Sequence, residues 1–258
     1  MTGGTGTSIQ FRMNAGVPGD VTRSHSSTIE PQILDTTNPP TAYGLPVVID
    51  ASSFGIRHVE ASDLSPVIVG FNVRPFPTTG NGTDGLGVST PPTSGIVNVL
   101  RRGYINVKVL AGTPTKGSPV YTRIAAATGS EFVGDVEAAY AYTTAHSATT
   151  GTGTSTAGTI SATDQTPAGV YTVTLTATSS TAAFVVTDAD GRDVGGGKIG
   201  TQATLDNGLS FLITAGGSPT TGDYLTITIT ADTIRLPGNT YFYDGMDANG
   251  NAEVAFNI

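Results

Sequence analysis

Val170-Tyr171-Thr172-Val173-Thr174-Leu175-Thr176-Ala177 alternates without a break: Tyr171, Val173, Leu175 and Ala177 on one side, threonines on the other. A period of two marks a strand with one buried and one solvated face. β-Branched and aromatic residues suit a pleated, half-buried surface. Working outward, residues 224–230 repeat the pattern, with Leu225, Ile227 and Ile229 opposite Thr226, Thr228 and Thr230. Residues 183–187 run into Asp188-Ala189-Asp190-Gly191, a hairpin signal. Residues 198–204 and 208–214 are expected to pair across Asp206-Asn207-Gly208. Strands at this spacing predict a small β-sandwich of immunoglobulin-like size, without the Cys and Trp marks of a true immunoglobulin domain. The Thr/Gly/Ser tract 147–158 reads as the linker leading into it.

Either side of this module the composition changes. From about residue 145 to about 231 the chain is Thr, Gly, Ala and Ser with few charges, whereas most of the Arg and Pro lie outside it. The pattern predicts an inserted domain, 146–232, within a discontinuous β domain of 1–145 and 233–258. A loop that accepts a whole domain must be exposed, with its ends close together. In the outer domain, residues 8–13 form a candidate first strand. Residues 14–46, with Pro18, Pro31, Pro39, Pro40 and Pro46, read as an extended arm or long loop, because proline lacks the donor a central strand needs. Strands are expected over 45–50, 66–74, 95–110 (two strands, or one bent at Arg101-Arg102-Gly103), 119–124, 131–138, 240–243 and 252–257, with a short helix within 124–128. The last strand must join a sheet built from residues before 145, the long-range closure of barrels and jelly rolls. The predicted fold class is therefore all-β: a small β-barrel or jelly-roll-like domain with an extended N-terminal arm, interrupted by an Ig-like β-sandwich.

The totals exclude several classes. The chain has 258 residues, of which only 12% are charged, with 34 Gly and 15 Pro. A hydrophobic fraction of 38% is too high for a disordered chain. A net charge of −8, with scattered basic residues, leaves no electrostatic footprint for nucleic acid. The absence of cysteine removes disulfide and thiolate chemistry. No apolar run approaches the roughly 20 residues of a membrane helix, so no membrane partner is expected. The start, Met1-Thr2-Gly3-Gly4-Thr5-Gly6-Thr7, lacks the basic and apolar regions of a signal peptide.

Motifs for chemistry are weak. His25, His58 and His146 are read as exposed loop histidines, with no metal-ligand spacing among them. Gly195-Gly196-Gly197-Lys198-Ile199-Gly200 fits G-x-G-x-x-G literally, but Thr201-Gln202-Ala203-Thr204 reads as a strand where a helix N-terminus is required. Asp188-Ala189-Asp190-Gly191-Arg192-Asp193 places its glycine wrongly for a calcium loop. The acidic run Asp244, Asp247, Asn249, Asn251 and Glu253 is better explained by turn-forming side chains. No cofactor, no metal and no catalytic residue is assigned, and a non-enzymatic protein is expected.

Five pieces taken in order resemble the structural cement (capsid decoration) proteins of tailed bacteriophages. They are the run from Phe11-Arg12-Met13 to Val21-Thr22-Arg23, then Val73-Arg74-Pro75-Phe76-Pro77, Pro91-Pro92-Thr93-Ser94-Gly95, Val99-Leu100-Arg101-Arg102-Gly103-Tyr104-Ile105, and the ending over 247–258. The module resembles, more loosely, the Thr/Gly-rich β modules of phage head and tail proteins. The resemblance implies a protein made in the host bacterial cytoplasm and seated on the outer capsid surface of the virion. There it would bridge major capsid protein subunits as a homo-oligomer, a trimer. Phe11, Phe76 and Pro77 offer rigid apolar contacts, and Arg12, Arg23 and Arg74 planar donors, for a capsid or oligomer interface. A competing expectation is an adhesive or glycan-binding surface module, with the insert as its functional part. Exposed aromatic residues grouped on one insert face would favour that reading.

Overall fold

The structure is a computed structural model and describes residues 16–61, 63, 68–75, 90–126, 132–151 and 153–258. Eighteen strands and one 3-10 turn, Ser24–Ser26, make up its regular structure. In chain order the strands are β1 Thr28–Ile33, β2 Pro46–Ile49, β3 Ile56–His58, β4 Ile68–Asn72, β5 Ile96–Ala111, β6 Tyr121–Arg123, β7 Val136–Glu137, β8 Tyr142–His146 and β9 Thr154–Ala157. They continue with β10 Gly169–Leu175, β11 Ala183–Thr187, β12 Asp193–Lys198, β13 Gln202–Thr204, β14 Ser210–Gly216, β15 Tyr224–Ala231, β16 Thr233–Arg235, β17 Tyr241–Phe242 and β18 Asn251–Phe256. The all-β class is as expected. The chain divides into two compact units: Met1–Ala139 with Arg235–Ile258, and Tyr140–Ile234.

The first unit is built on β5. This 16-residue strand bends at Gly103, whose φ of +136° only glycine adopts readily, and whose missing Cβ makes room for Ser27. Its first half pairs with β1 and β4, its second with β18 and, in parallel, β7. The sheet runs β6-β7-β5-β4-β2-β3, with β1, β17 and β18 attached beside that path. One half-strand thus serves neighbours that the other half does not reach. The described strands consequently form an open, branched sheet and not the closed barrel expected from the sequence. The C-terminal strand does lie in this sheet: Phe256 stands opposite Gly103, and Asn251 opposite Lys108. Its Phe256 ring packs edge-on to Phe71 at 5.2 Å, and Val107, Ile105, Val254 and Phe242 of the same sheet are likewise buried.

Residues 14–46, expected as an extended arm or long loop, are so only in part. Of the described residues, 35–45 are irregular, but 16–34 are stitched into the sheet. The Gly19 N–H donates to the Asn106 carbonyl, Asn106 N–H to Asp20, Thr22 N–H to Tyr104, and Arg74 N–H to Gly19. Asn106 thus spends both backbone groups on this segment, which leaves the other edge of β5 to β18. Further on, Thr28–Ile33 is a true strand on β5. Leu34 N–H donates to Gly95, so residues 34, 32 and 30 turn their backbone groups inward and Pro31 turns its nitrogen outward. Proline is tolerated there because the missing donor belongs to the free edge, where it also obstructs pairing by another chain.

Short polar links complete this unit. Arg123 and Glu137 form a buried ion pair across β6 and β7. Arg57 on β3 holds Asp63 through two hydrogen bonds, 2.8 and 2.7 Å, and lies 3.6 Å from Asp50 and 3.7 Å from Glu60. The helix expected within 124–128 is absent from residues 124–126, and the remainder lies outside the described residues. The candidate strand over 8–13 also lies outside them.

The second unit has two antiparallel sheets, β12-β11-β10-β15-β8 and β13-β14-β9, which share one core. Tyr171, Val173 and Leu175 face inward from β10 and Leu225, Ile227 and Ile229 from β15, meeting Leu209, Phe211 and Ile213. One expectation is corrected. The 147–158 tract is not a plain linker, because Thr154–Ala157 pairs with β14 and buries Ser155 and Ala157. The glycine run 195–197 lies in β12, beside β11. A Cβ at Gly196 would fall 2.3 Å from the Phe184 carbonyl oxygen, and one at Gly197 2.7 Å from the Phe184 ring. Close packing on Phe184 therefore accounts for a motif that resembles a phosphate loop.

Candidate functional site

Alternation along β5 and β1 creates an apolar exposed face on the first unit. Val97 and Val99 turn inward to a cluster with Leu34, Val47 and Ile56. Ile96 and Asn98 must then turn outward, opposite Ile33 and Pro31, and Ile29 follows in line. Ile96 is 69% exposed, Ile33 66% and Ile29 41%. Ile33 and Ile96 occupy a non-hydrogen-bonded pair, the type that brings facing side chains closest. Beside Ile96 lies a shallow hollow of about 90 Å³ lined by Tyr43, Val73, Pro75 and Pro92. Isolated exposed apolar residues need no explanation, but a contiguous strip with an adjoining hollow makes this face the candidate contact surface.

Of the six interface residues expected from the sequence, Phe11, Arg12, Phe76 and Pro77 lie outside the described residues. Arg23 is engaged within its own unit. Its guanidinium lies over both the Tyr104 and Tyr243 rings, 4.3 and 4.0 Å from their centroids, and donates two 3.2 Å hydrogen bonds to Glu253. This fastens the residue 16–23 segment to β18 by cation–π and ionic contact together. Arg74 is half-buried beside Gly19, with its Nε unpartnered. The apolar strip went unrecognised in the sequence, although Ile29, Pro31 and Ile33 do carry a period-two signal within a turn-rich stretch.

Of the three expected exposed loop histidines, His25 fits, His146 is exposed but on a strand, and His58 departs most. His25 lies in the exposed 3-10 turn, but His146 is on β8 and His58 on β3. The His58 ring is half-buried, with Nε2 2.6 Å from the Val133 carbonyl oxygen and Gly134 packed on its face. Among the described residues, no three His, Asp or Glu side chains are grouped to hold a metal. Asp247 accepts from the backbone of Asn249 and Asn251, at 2.8 and 2.9 Å, which is turn chemistry. No helix of the described residues is long and apolar enough to cross a membrane.

Residues 6–166 match the family described as XM1 gp53 minor capsid protein. The chain belongs to that family. The match covers more than half of the sequence and continues beyond Tyr140, where the second unit begins. Membership in this minor capsid family makes the protein a structural component of a phage capsid and places it in the virion. No curated protein matches the chain. Among solved structures, a crystal structure of FlgL from Xanthomonas campestris aligns at 24% identity with a TM-score of 0.28. That alignment covers 36% of this chain and 30% of the other, so the chain spans less than a third of FlgL.

Proposed function

We propose that this minor capsid protein is a cement: its first unit docks on the outer surface of the head, bridges major capsid protein subunits and stabilises the mature shell. The observation that carries the reading is the exposed strip of Ile29, Pro31, Ile33 and Ile96, on a rigid sheet of a chain that belongs to a capsid family. Pro31 disfavours strand addition at that edge, so docking uses the side-chain face. Fully desolvating an isoleucine contributes about 1.5–3 kcal/mol, and only a surplus over association costs appears as affinity. One strip is therefore a modest contact. A homo-oligomer, a trimer in the simplest form, would multiply it through effective concentration. Binding the assembled shell in preference to free subunits then stabilises the shell by mass action.

The competing adhesive or glycan-binding reading, which exposed aromatic residues grouped on one face would favour, finds in the second unit chiefly the half-buried stacked pair Tyr140 and Tyr142, 5.6 Å apart. Tyr171, Phe184 and Phe211 are core residues of the second unit, whereas Tyr224 is 41% exposed. The test adds purified protein to undecorated capsids and follows their melting temperature. Wild-type protein should raise it, and Ile33→Asp with Ile96→Asp should abolish the rise while leaving the protein's own melting unchanged. An unshifted capsid transition at saturating wild-type protein would reject the cement function. A full shift with the double variant would reject the strip as the docking face.

A further inference from the structure

The second unit contains a cleft of about 290 Å³ that packing does not require. Residues Pro167 to Tyr171 form one wall and Asp188 to Asp190 the other, with Val194 and Asn207 completing it. Small residues keep it open. Gly169 adopts a φ of +152°, and a Cβ there would meet only Ala189, at 3.9 Å. Val170, on the outer face of β10, remains 42% exposed as an apolar patch among threonines. The polar groups are fixed in place. The Tyr171 hydroxyl donates to the Pro167 carbonyl at 2.7 Å and accepts from Asn207 Nδ2 at 3.3 Å. Asn207 Oδ1 accepts from Leu209 N–H, which sets the amide's orientation and leaves the second Nδ2 proton as a donor. Asp188 receives the backbone N–H groups of Asp190 and Arg192 on Oδ1 alone, 3.0 and 2.9 Å, which leaves Oδ2 as an acceptor. The Tyr171 phenol is held above its ordinary pKa, by burial first and by the Asp188 charge next, so the carboxylate's field reaches this wall.

We propose that this cleft is a binding subsite for one neutral sugar ring. A hexopyranose presents an apolar face of C–H groups and an edge of hydroxyls that both donate and accept. Val170, Pro167 and Ala168 match the first, while the Asp188 acceptor and Asn207 donor match the second. The volume lies just below the roughly 300 Å³ at which sites for drug-sized ligands begin, in keeping with a single ring. Charge selects against acidic sugars. Asp190 already pairs with Arg192 at 2.9 Å, Asp188 is uncompensated, and the unit carries seven aspartates against Arg192 and Lys198 alone. The inference stands apart from the cement reading, because none of these residues belongs to the first unit.

The test is saturation-transfer NMR on the full chain with methyl glucopyranoside, galactopyranoside and mannopyranoside, and with methyl glucuronide and n-butylammonium as comparators. At least one neutral glycoside should receive saturation on its ring protons, and the glucuronide none. Asp188→Asn keeps the oxygen that closes the turn but removes the free acceptor, and should weaken binding at least tenfold. Val170→Glu, at an exposed strand position, should abolish the signal, and Asp206→Asn, outside the cleft, should leave it intact. Three outcomes would overturn the proposal: no transfer to any neutral glycoside, undiminished transfer in both cleft variants, or binding of butylammonium in place of sugars.

Discussion

Asp63 shows how a single side chain ties local chemistry to the stability of the first unit. Burial alone would raise its pKa. The Arg57 hydrogen bonds, the Glu60 N–H at 2.7 Å and the Arg57 charge together outweigh burial and hold it below the usual carboxylate value. Asp35 is lowered too, chiefly by the Ser53 hydroxyl at 2.5 Å and the Thr37 N–H at 2.7 Å, and Asp50 by the backbone N–H groups of Ser53 and Ser52. A carboxyl that binds its proton less readily when folded stabilises the fold above its unfolded pKa and loses that contribution as pH falls through the folded one. The first unit should therefore hold constant stability from neutrality to about pH 5 and weaken progressively below about pH 4. Asp63→Asn should cost about 1.5–3 kcal/mol at pH 7, the usual worth of hydrogen bonds to a charged group, and should flatten the acid limb. Urea titrations of wild type and variant between pH 3 and 7 measure both effects. An acid limb equally steep in the variant would remove Asp63 from the account.

At the scale of elements, residues 16–23 are part of the sheet and not a detachable arm. Four backbone hydrogen bonds join them to β5 and Arg74, and Arg23 adds its contacts to Tyr104, Tyr243 and Glu253. At about 1 kcal/mol net for each bond, their removal approaches the whole stability of a domain, about 5–15 kcal/mol. Deleting residues 1–23 should abolish the thermal transition of the first unit, and calorimetry of the truncated chain checks this. A preserved transition would show the stitching to be dispensable. The same elements show what a reader of the sequence can see. β10, β15 and β5 were legible because one face is buried and the residues alternate. β1 was hidden by Pro31, β12 by its glycines and β9 by its Thr/Ser composition. Each owes its existence to a partner strand supplied from elsewhere in the chain, which local propensity does not encode. The site was less legible still. Alternation identifies Ile33 and Ile96 as lying opposite inward-facing neighbours, but only the register of β1 on β5 brings the two together. Arg23, singled out for an interface, is one of the residues that most firmly binds its own unit.

For the whole molecule, the geometry of β6 decides whether the second unit can be removed. Glu137, at the end of β7, stands opposite Tyr121, and the Leu236 N–H donates to the carbonyl of Val120, the residue before it. The outgoing and returning chains of the first unit therefore flank one short strand. Two inter-strand spacings separate them, roughly 10 Å in all, a gap that about three extended residues span at roughly 3.4 Å each. Replacing 140–234 by a Gly/Ser linker of about that length should then add little loop-closure entropy, since closure cost grows only with the logarithm of loop length. The shortened chain should keep a cooperative thermal transition and the antiparallel pairing of β18 with β5, read from amide hydrogen exchange over 251–256. It should also still raise the melting temperature of undecorated capsids, because the Ile29, Ile33 and Ile96 strip is retained. A chain that melts without cooperativity would mean that the first unit depends on the second to fold. A cooperative chain without effect on capsids would move the docking face to residues 140–234.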